Sequence, residues 1–441
     1  MPVGNHYSGP EETMLLDFDL SVVSADLQSA VNHIWGRSRL QTGRKTDIKK
    51  QLLGMILINL HHGFRTRKSV AFSATPRTYS SVPQRYRRPY QRFDLVKQVI
   101  SELKRLGYIE TLRGRSFKNP LYEGQMSKMY PSDLLKRLFR SYSIKRTVKL
   151  FPAEEIILKD SGKKKISYKE TAETIQMRTD VKLVNSLRKS AKFVLKGVPE
   201  SLLETVSKSQ GRTFREILQP LTDVNLSVPM RDIPLRTTYV YRIFNNSSFY
   251  EGGRFYGSAE MGLPKGLRKY LYIDDKPTIE LDYSSHHLMI LYHQCGIDYR
   301  GDPYVTKKKD RRALYKAVTM SVLNNNNKPS AIKAVLESYK AGKIDLSWMP
   351  EVSYARIMKY FDKWEKVHYR LTGYFYSEQG VKLMNTDSVI MNKILQYFAK
   401  KGIVACGIHD SVIVQRKYKK ELLEVMEDVY RDVLGFNPVI K

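Results

Sequence analysis

Two segments of this chain constrain its fold more than any other part, because each runs as a strand into a single acid. Thr278 to Asp282 leads into Tyr283-Ser284, and Ile403 to Ile408 leads into His409-Asp410-Ser411. Short apolar runs bounded by polar residues predict buried strands, and each run places one carboxylate at a strand edge facing a cleft. Between them lies a helical pattern. Arg312, Lys316, Met320 and Asn324 recur at every fourth position and so share one face. Asp310 is positioned to cap that helix over Arg311 to Leu323. Further helices are expected from Leu288 to His293, Val389 to Phe398 and Lys419 to Val433, with a strand from Ser411 to Gln415. Helices on one side of a small antiparallel sheet make an α+β fold.

The net charge narrows the partners. Lys and Arg number 75 against 44 Asp and Glu, which gives +31 over 441 residues. An excess of this size favours a polyanion, with nucleic acid first. An anionic membrane is disfavoured, because no long apolar span with a flanking polybasic segment occurs. The apolar fraction of 42% suits a globular chain, and the length suggests two or three domains. The N-terminus shows no basic region followed by an apolar core, so secretion is not expected. Cys295 and Cys406 are too few for a disulfide framework or a zinc site, and a cytoplasmic location fits best.

Residues 1–45 form an N-terminal segment that mixes polar and apolar stretches. From 46 to 125 the pattern sharpens. Ile48, Leu52, Leu53, Ile56 and Leu60 recur at helical spacing, and Gly63 is the expected stop. A basic, proline-containing stretch runs from Phe64 to Arg92. A second helix then carries Phe93, Val96, Val99, Ile100, Leu103 and Leu106 and ends at Gly107. Tyr108 to Leu112 predicts a strand, Arg113-Gly114-Arg115 a basic turn, and Ser116 to Tyr122 a return strand. This order resembles a winged helix, in which the second helix enters the major groove and the wing rests on phosphate. Arg87, Arg88, Arg113 and Arg115 are the nucleic-acid contacts it implies. The plainer reading is a charged helical hairpin with a solvated face.

Residues 126–245 form a mainly helical, thumb-like linker. Within it, Arg146 to Lys165 reads as short strands around a Ser161-Gly162 turn, and Thr171 to Lys196 as a long basic helix. Residues 246–441 hold the alternating strands and helices described above.

The two acids and the basic helix have a joint chemical use. Taken singly, Asp282 and Asp410 are ordinary turn or cap residues, and Arg312 with Lys316 is an ordinary solvated face. Together, two carboxylates on neighbouring strands suit a pair of hard cations, and Mg²⁺ prefers such oxygen ligands together with substrate phosphates. The cations at 312 and 316 suit the β- and γ-phosphates of a nucleotide. His409 is placed to hydrogen-bond a primer end or a phosphate. Zinc is disfavoured, because His286 and His287 lack enough well-placed partners.

These residues resemble the right-hand polymerases that include family A DNA polymerases and phage-type single-subunit RNA polymerases. Their motif A is similar to Asp282-Tyr283-Ser284, their motif B to Arg312 and Lys316, and their motif C to His409-Asp410-Ser411. Gly253 to Gly257, Leu263-Pro264 and Leu267-Arg268 look like the lead-in to motif A. Asn385-Thr386-Asp387-Ser388, ahead of a helix, looks like the segment before motif C. The likeness covers roughly 245–430. It implies a polymerase palm with reduced fingers, in which Asp282, Asp410 and the Tyr283 carbonyl hold two Mg²⁺ ions, with Mn²⁺ as a substitute. It further implies that Arg312, Lys316, Met320, Asn324 and His287 line the nucleotide pocket, that Arg254 lies near the template–primer backbone, and that His287 stands against the 2′-carbon. The tyrosine that usually ends motif B is absent, and Asn324 stands there.

The expected function is template-directed nucleotidyl transfer, with DNA as template and nucleoside triphosphates as substrates. Asp-Tyr-Ser and His287 favour deoxynucleotides, whereas Thr319-Met320-Ser321 and His-Asp-Ser look more like the RNA enzymes. A DNA polymerase is favoured over an RNA polymerase or primase. The competing readings are a non-catalytic winged-helix initiator or regulator and a two-metal nuclease.

Overall fold

The helix Thr46–Thr66 is apolar on every side over Leu52, Leu53, Met55, Ile56, Leu57 and Ile58, all of them buried. A helix without a polar face must lie inside its domain, and this one organises the first of two units. The computed structural model describes residues 12–21, 25–114, 126–142, 149–150, 153–222, 226, 232–236, 239–304 and 311–441. The chain divides into a unit of residues 1–155, 188–241 and 257–277 and a unit of residues 156–187, 242–256 and 278–441. The stretch 126–245, expected as a linker, is therefore shared between them.

In the first unit a four-stranded sheet runs in the order Glu12–Leu15, Lys68–Phe72, Ser127–Pro131, Ile109–Leu112. The outer pair is parallel and the other two pairings are antiparallel. Helices Ala25–Arg37, Thr46–Thr66 and Phe93–Arg105 supply most of the core beside it. The strand Lys68–Phe72 lies within the stretch expected to be merely basic. Ser69, Val70 and Ala71 are buried between two neighbouring strands, which gives the segment a use that its flanking arginines hide. The turn residue Arg115, the return strand 116–122 and the cap Asp310 lie outside the described residues. Arg113 is exposed just past its strand.

Two expected boundaries are corrected here. Gly63 does not stop its helix, which continues to Thr66 and closes on Arg67 in the left-handed conformation, φ 57°. Gly63 is needed for close approach instead, because a Cβ there would lie 2.6 Å from the Lys68 carbonyl oxygen and 3.3 Å from Val70 Cγ2. The helix expected over Thr171 to Lys196 ends at Ser190, and Phe193–Lys196 is a strand. Its buried Phe193, Val194 and Leu195 pair with Leu271–Ile273 on one side and Asp232–Pro234 on the other. In the same unit the Arg188 guanidinium meets Glu260 at 2.8 Å, with both side chains buried.

The second unit contains the strand Lys276–Asp282, which enters it at Thr278. This strand pairs antiparallel with Ser411–Gln415, which pairs with Cys406–Ile408. A smaller sheet joins Gly252–Tyr256, Tyr241–Phe244 and Ile156–Leu158. Helices His286–Gln294, Arg312–Asn324, Lys328–Lys340, Tyr354–Val367, Gly380–Lys400 and Lys419–Leu434 complete it. Asn385 to Ser388 lie inside the helix Gly380–Lys400 rather than ahead of it. Gly253, at φ 87°, lets that helix approach, since a Cβ would come within 2.7 Å of Ser388 Oγ and Phe244 Cε1.

Gly63→Ala is expected to force a methyl group against a backbone carbonyl and to lower unfolding free energy by about 1–3 kcal/mol. Urea unfolding measures the difference, and an unchanged midpoint would show that the helix shifts freely.

Candidate functional site around Asp282 and Asp410

The strand ladder of the second unit brings the backbones of the two acids to neighbouring positions. Asp282 is the cross-strand partner of Ser411, and Ile408 is the other partner of Ser411. His409 and Asp410 thus form a two-residue turn beside the end of the Asp282 strand. The Tyr283 N–H donates to the Asp410 carbonyl at 3.1 Å. On its other edge Asp282 exchanges both backbone hydrogen bonds with Lys441, at 2.9 and 3.0 Å. A residue that turns both backbone groups away from a partner forms the narrow, non-hydrogen-bonded type of pair, with Cα atoms about 4.5 Å apart. Asp282 and Ser411 are such a pair, and their side chains rise side by side.

Strain marks the same place. His409 has φ 58°, which a two-residue hairpin turn requires at its first central position. Ser285, three residues past Asp282, has φ 52° at the start of the next helix. A non-glycine residue held left-handed costs roughly 1–2 kcal/mol, and such residues gather at functional sites.

The alternation of the strand aims Asp282 and Tyr283 oppositely. Tyr283 is buried, donates to the Met426 carbonyl at 2.7 Å and stacks on His286 with ring centres 4.7 Å apart. His286 Nε2 lies 3.1 Å from Asp387 Oδ1, and Arg254 Nε donates to Asp387 Oδ2 at 2.5 Å. Arg254 Nη2 also donates to His287 Nε2 at 2.7 Å. Burial pushes the Asp387 carboxyl up, but the hydrogen bond from His286 and the charge of Arg254 outweigh it and hold the group below the usual carboxylate range. Burial, with the charge of Arg254 adding, pushes His287 down to about 3. His287 is therefore neutral, and its Nε2 accepts.

Arg254, expected near the template–primer backbone, is clamped to Asp387 and His287. Its residue type and spacing give no sign of this. Arg312 opens its helix, donates from Nε to Asp302 at 2.8 Å and lies 5.1 Å from the Tyr304 ring centre. Tyr304 is buried beside Ser285, within electrostatic reach of Arg312, Asp302 and Asp410, and burial raises its hydroxyl to about 12. Lys316 and Asn324 are exposed and Met320 partly so, which leaves this face open; Asn324 Nδ2 donates back to the Met320 carbonyl at 2.7 Å. His409 is exposed at the turn.

Asp387, Asp302 and Tyr304 were not assigned roles from sequence. An acid within an otherwise amphipathic helix was a usable signal for Asp387. Nothing local marks the other two. In the first unit, Arg88 Nε bonds Asp19 Oδ1 at 3.0 Å, and Arg87 Nε is buried. Arg88 is thus engaged within the protein, whereas the buried Arg87 Nε has no hydrogen-bond partner among the described residues.

The donor set suits a hard cation. Among the described residues no group of three His, Cys, Asp or Glu side chains is placed to hold a metal ion. Mg²⁺ typically takes one or two carboxylates and completes its shell with water and substrate phosphates, which Asp282 and Asp410 fit. No helix among the described residues is long and apolar enough to cross a membrane.

Asp387→Asn is expected to leave Arg254 without its counter-charge and to cost about 3 kcal/mol of stability, read by urea denaturation; a loss below ~1 kcal/mol would show the ion pair to be dispensable. Acid stability tests His287. Above its ordinary value of 6.5 neither folded nor unfolded chain protonates it, and toward pH 3 only the unfolded chain does. Stability should therefore fall as pH drops through that window, by on the order of 1 kcal/mol per pH unit from this group. His62 and His368, each pushed down to about 4 by burial, add to the same limb. His287→Gln should flatten the slope, and an unaltered slope would contradict the assignment.

No family model and no curated protein sequence matches the chain. Among solved structures it is similar to the POL domain of Pol1 from M. smegmatis in complex with DNA primer-template and dNTP. The identity is 10% and the TM-score 0.26, over 80% of this chain and 73% of that one. Likeness at that level carries no argument on its own.

Proposed function

We propose that the chain is a template-directed nucleotidyltransferase that extends a 3′ end on a DNA template, with deoxynucleoside triphosphates favoured as substrates. The observation that carries this reading is the ladder that sets Asp282 against Ser411 and Asp410 beside Tyr283. The 3′-hydroxyl oxygen attacks the α-phosphorus, the bond to the bridging oxygen breaks, pyrophosphate leaves and the hydroxyl proton passes to water. Asp282 and Asp410 would hold two Mg²⁺ ions, which supply the charge that acidifies the hydroxyl and stabilises the leaving group.

The remaining work belongs to the chain. Lys316 and Arg312 grip the triphosphate, and Asp302 keeps the Arg312 side chain directed. His287, neutral and braced by Arg254, stands against the sugar and disfavours a 2′-hydroxyl. The first unit, winged-helix-like in the order of its helices and strands, binds DNA through its basic side chains, Arg113 among them. The net charge of +31 supports such a partner.

Labelled dNTP and NTP offered in parallel, with and without primer and template, test the proposal. Asp282→Asn and Asp410→Asn should each lower incorporation at least about a hundredfold, the scale of losing one preorganised electrostatic contact, while the urea midpoint stays near that of the wild type. Full incorporation by both variants would end this reading.

A further inference from the structure

The Asp282 strand carries a second acid that the reaction above leaves unused. Glu280 lies two residues earlier, so its side chain leaves the same face as that of Asp282. Ser411, the cross-strand partner of Asp282, presents its hydroxyl on that face as well. The hydroxyl donates to Glu280 Oε1 at 2.7 Å, with the Ile408 carbonyl 3.1 Å away. Glu280's own partner is Ile413, so the contact runs diagonally across the ladder. Diagonal neighbours about 7–8 Å apart are within reach of a long side chain. Ser411 is only 3% exposed, so water competes little for the bond.

The ladder explains why such a bond matters here. Asp282 directs both backbone groups to Lys441, so no backbone hydrogen bond joins Asp282 to Ser411. Asp410 sits just past this rung, in a turn strained at His409 and held by a backbone bond from the Tyr283 N–H. We propose that Glu280 and Ser411 are a positioning pair whose hydrogen bond ties the Asp410 turn to the Asp282 strand and so sets the spacing at which the two acids share cations. The inference rests on the proposed function and adds to it a dependence of metal affinity on two residues that do not themselves ligate.

Mn²⁺ titration followed by electron paramagnetic resonance reads metal affinity on the full chain without turnover, and nucleotide incorporation against Mg²⁺ concentration reads it again. Ser411→Ala and Glu280→Ala should each weaken Mn²⁺ binding and raise the Mg²⁺ requirement about tenfold, as losses in the outer shell of a metal site do. Glu280→Gln keeps an acceptor at the same reach and should stay within about twofold. Circular dichroism and urea unfolding verify that each variant is folded; should Ser411→Ala unfold, Glu280→Ala breaks the same bond from its other end. Wild-type affinity in both alanine variants overturns the inference. So does an equal loss in Glu280→Gln and Glu280→Ala, because the charge and not the bond would then be at work. A different result marks failure of the proposed function itself: Mn²⁺ binding that Asp282→Asn leaves unchanged, in which case the inference falls with it.

Discussion

The pairing of Asp282 with Lys441 is the constraint on which the rest of the second unit depends. Both backbone hydrogen bonds of Asp282 go to that outer partner, so Asp282 must face Ser411 across a narrow rung. The same rung fixes where the Ile408–Ser411 hairpin turns, because a two-residue turn leaves no slack in register. Sliding the ladder by one residue would point Asp282 into the core and Tyr283 into the cleft. Tyr283 resists this by burying its ring against His286 and Tyr430 and by hydrogen-bonding Met426.

Asp387 extends that order from the sheet to the helices. A fully buried carboxylate is costly unless several donors meet it, and Arg254 and His286 do. The consequence is directional. Arg254 is drawn inward, His287 is fixed as a neutral acceptor, and the first turn of the helix after Asp282 is fastened to the helix Gly380–Lys400. Rigidity at the site thus comes from charge pairing behind it, while the face of Lys316 and Asn324 stays open to solvent. Among the described residues the buried acids Glu102, Glu154, Glu260 and Asp387 each pair with an arginine.

Legibility varied with the range of the interaction. Amphipathic periodicity located Phe93–Arg105 and Lys419–Leu434 to within a residue or two, because a helical face is encoded in neighbours three and four apart. The strand Ser411–Gln415 was equally plain. Periodicity did not show that Phe193–Lys196 leaves the helix pattern for a strand, since partners from 232–234 and 271–273 decide that. Nor did it show that Gly63 serves packing rather than termination, because the Lys68 carbonyl that excludes a side chain belongs to the following strand.

By itself the sequence determined the local elements, the strongly basic balance that favours a polyanionic partner, and the identity of the acids and cations that end the strands and open the helix. These follow from propensity, alternation and charge, which each residue carries wherever it lies. Only the tertiary structure decided which groups meet: Glu280 with Ser411, Arg254 with Asp387, Tyr304 with Arg312. Each of these contacts joins segments from about 8 to more than 130 residues apart. Their geometry is set by register and burial, which no short stretch of sequence contains.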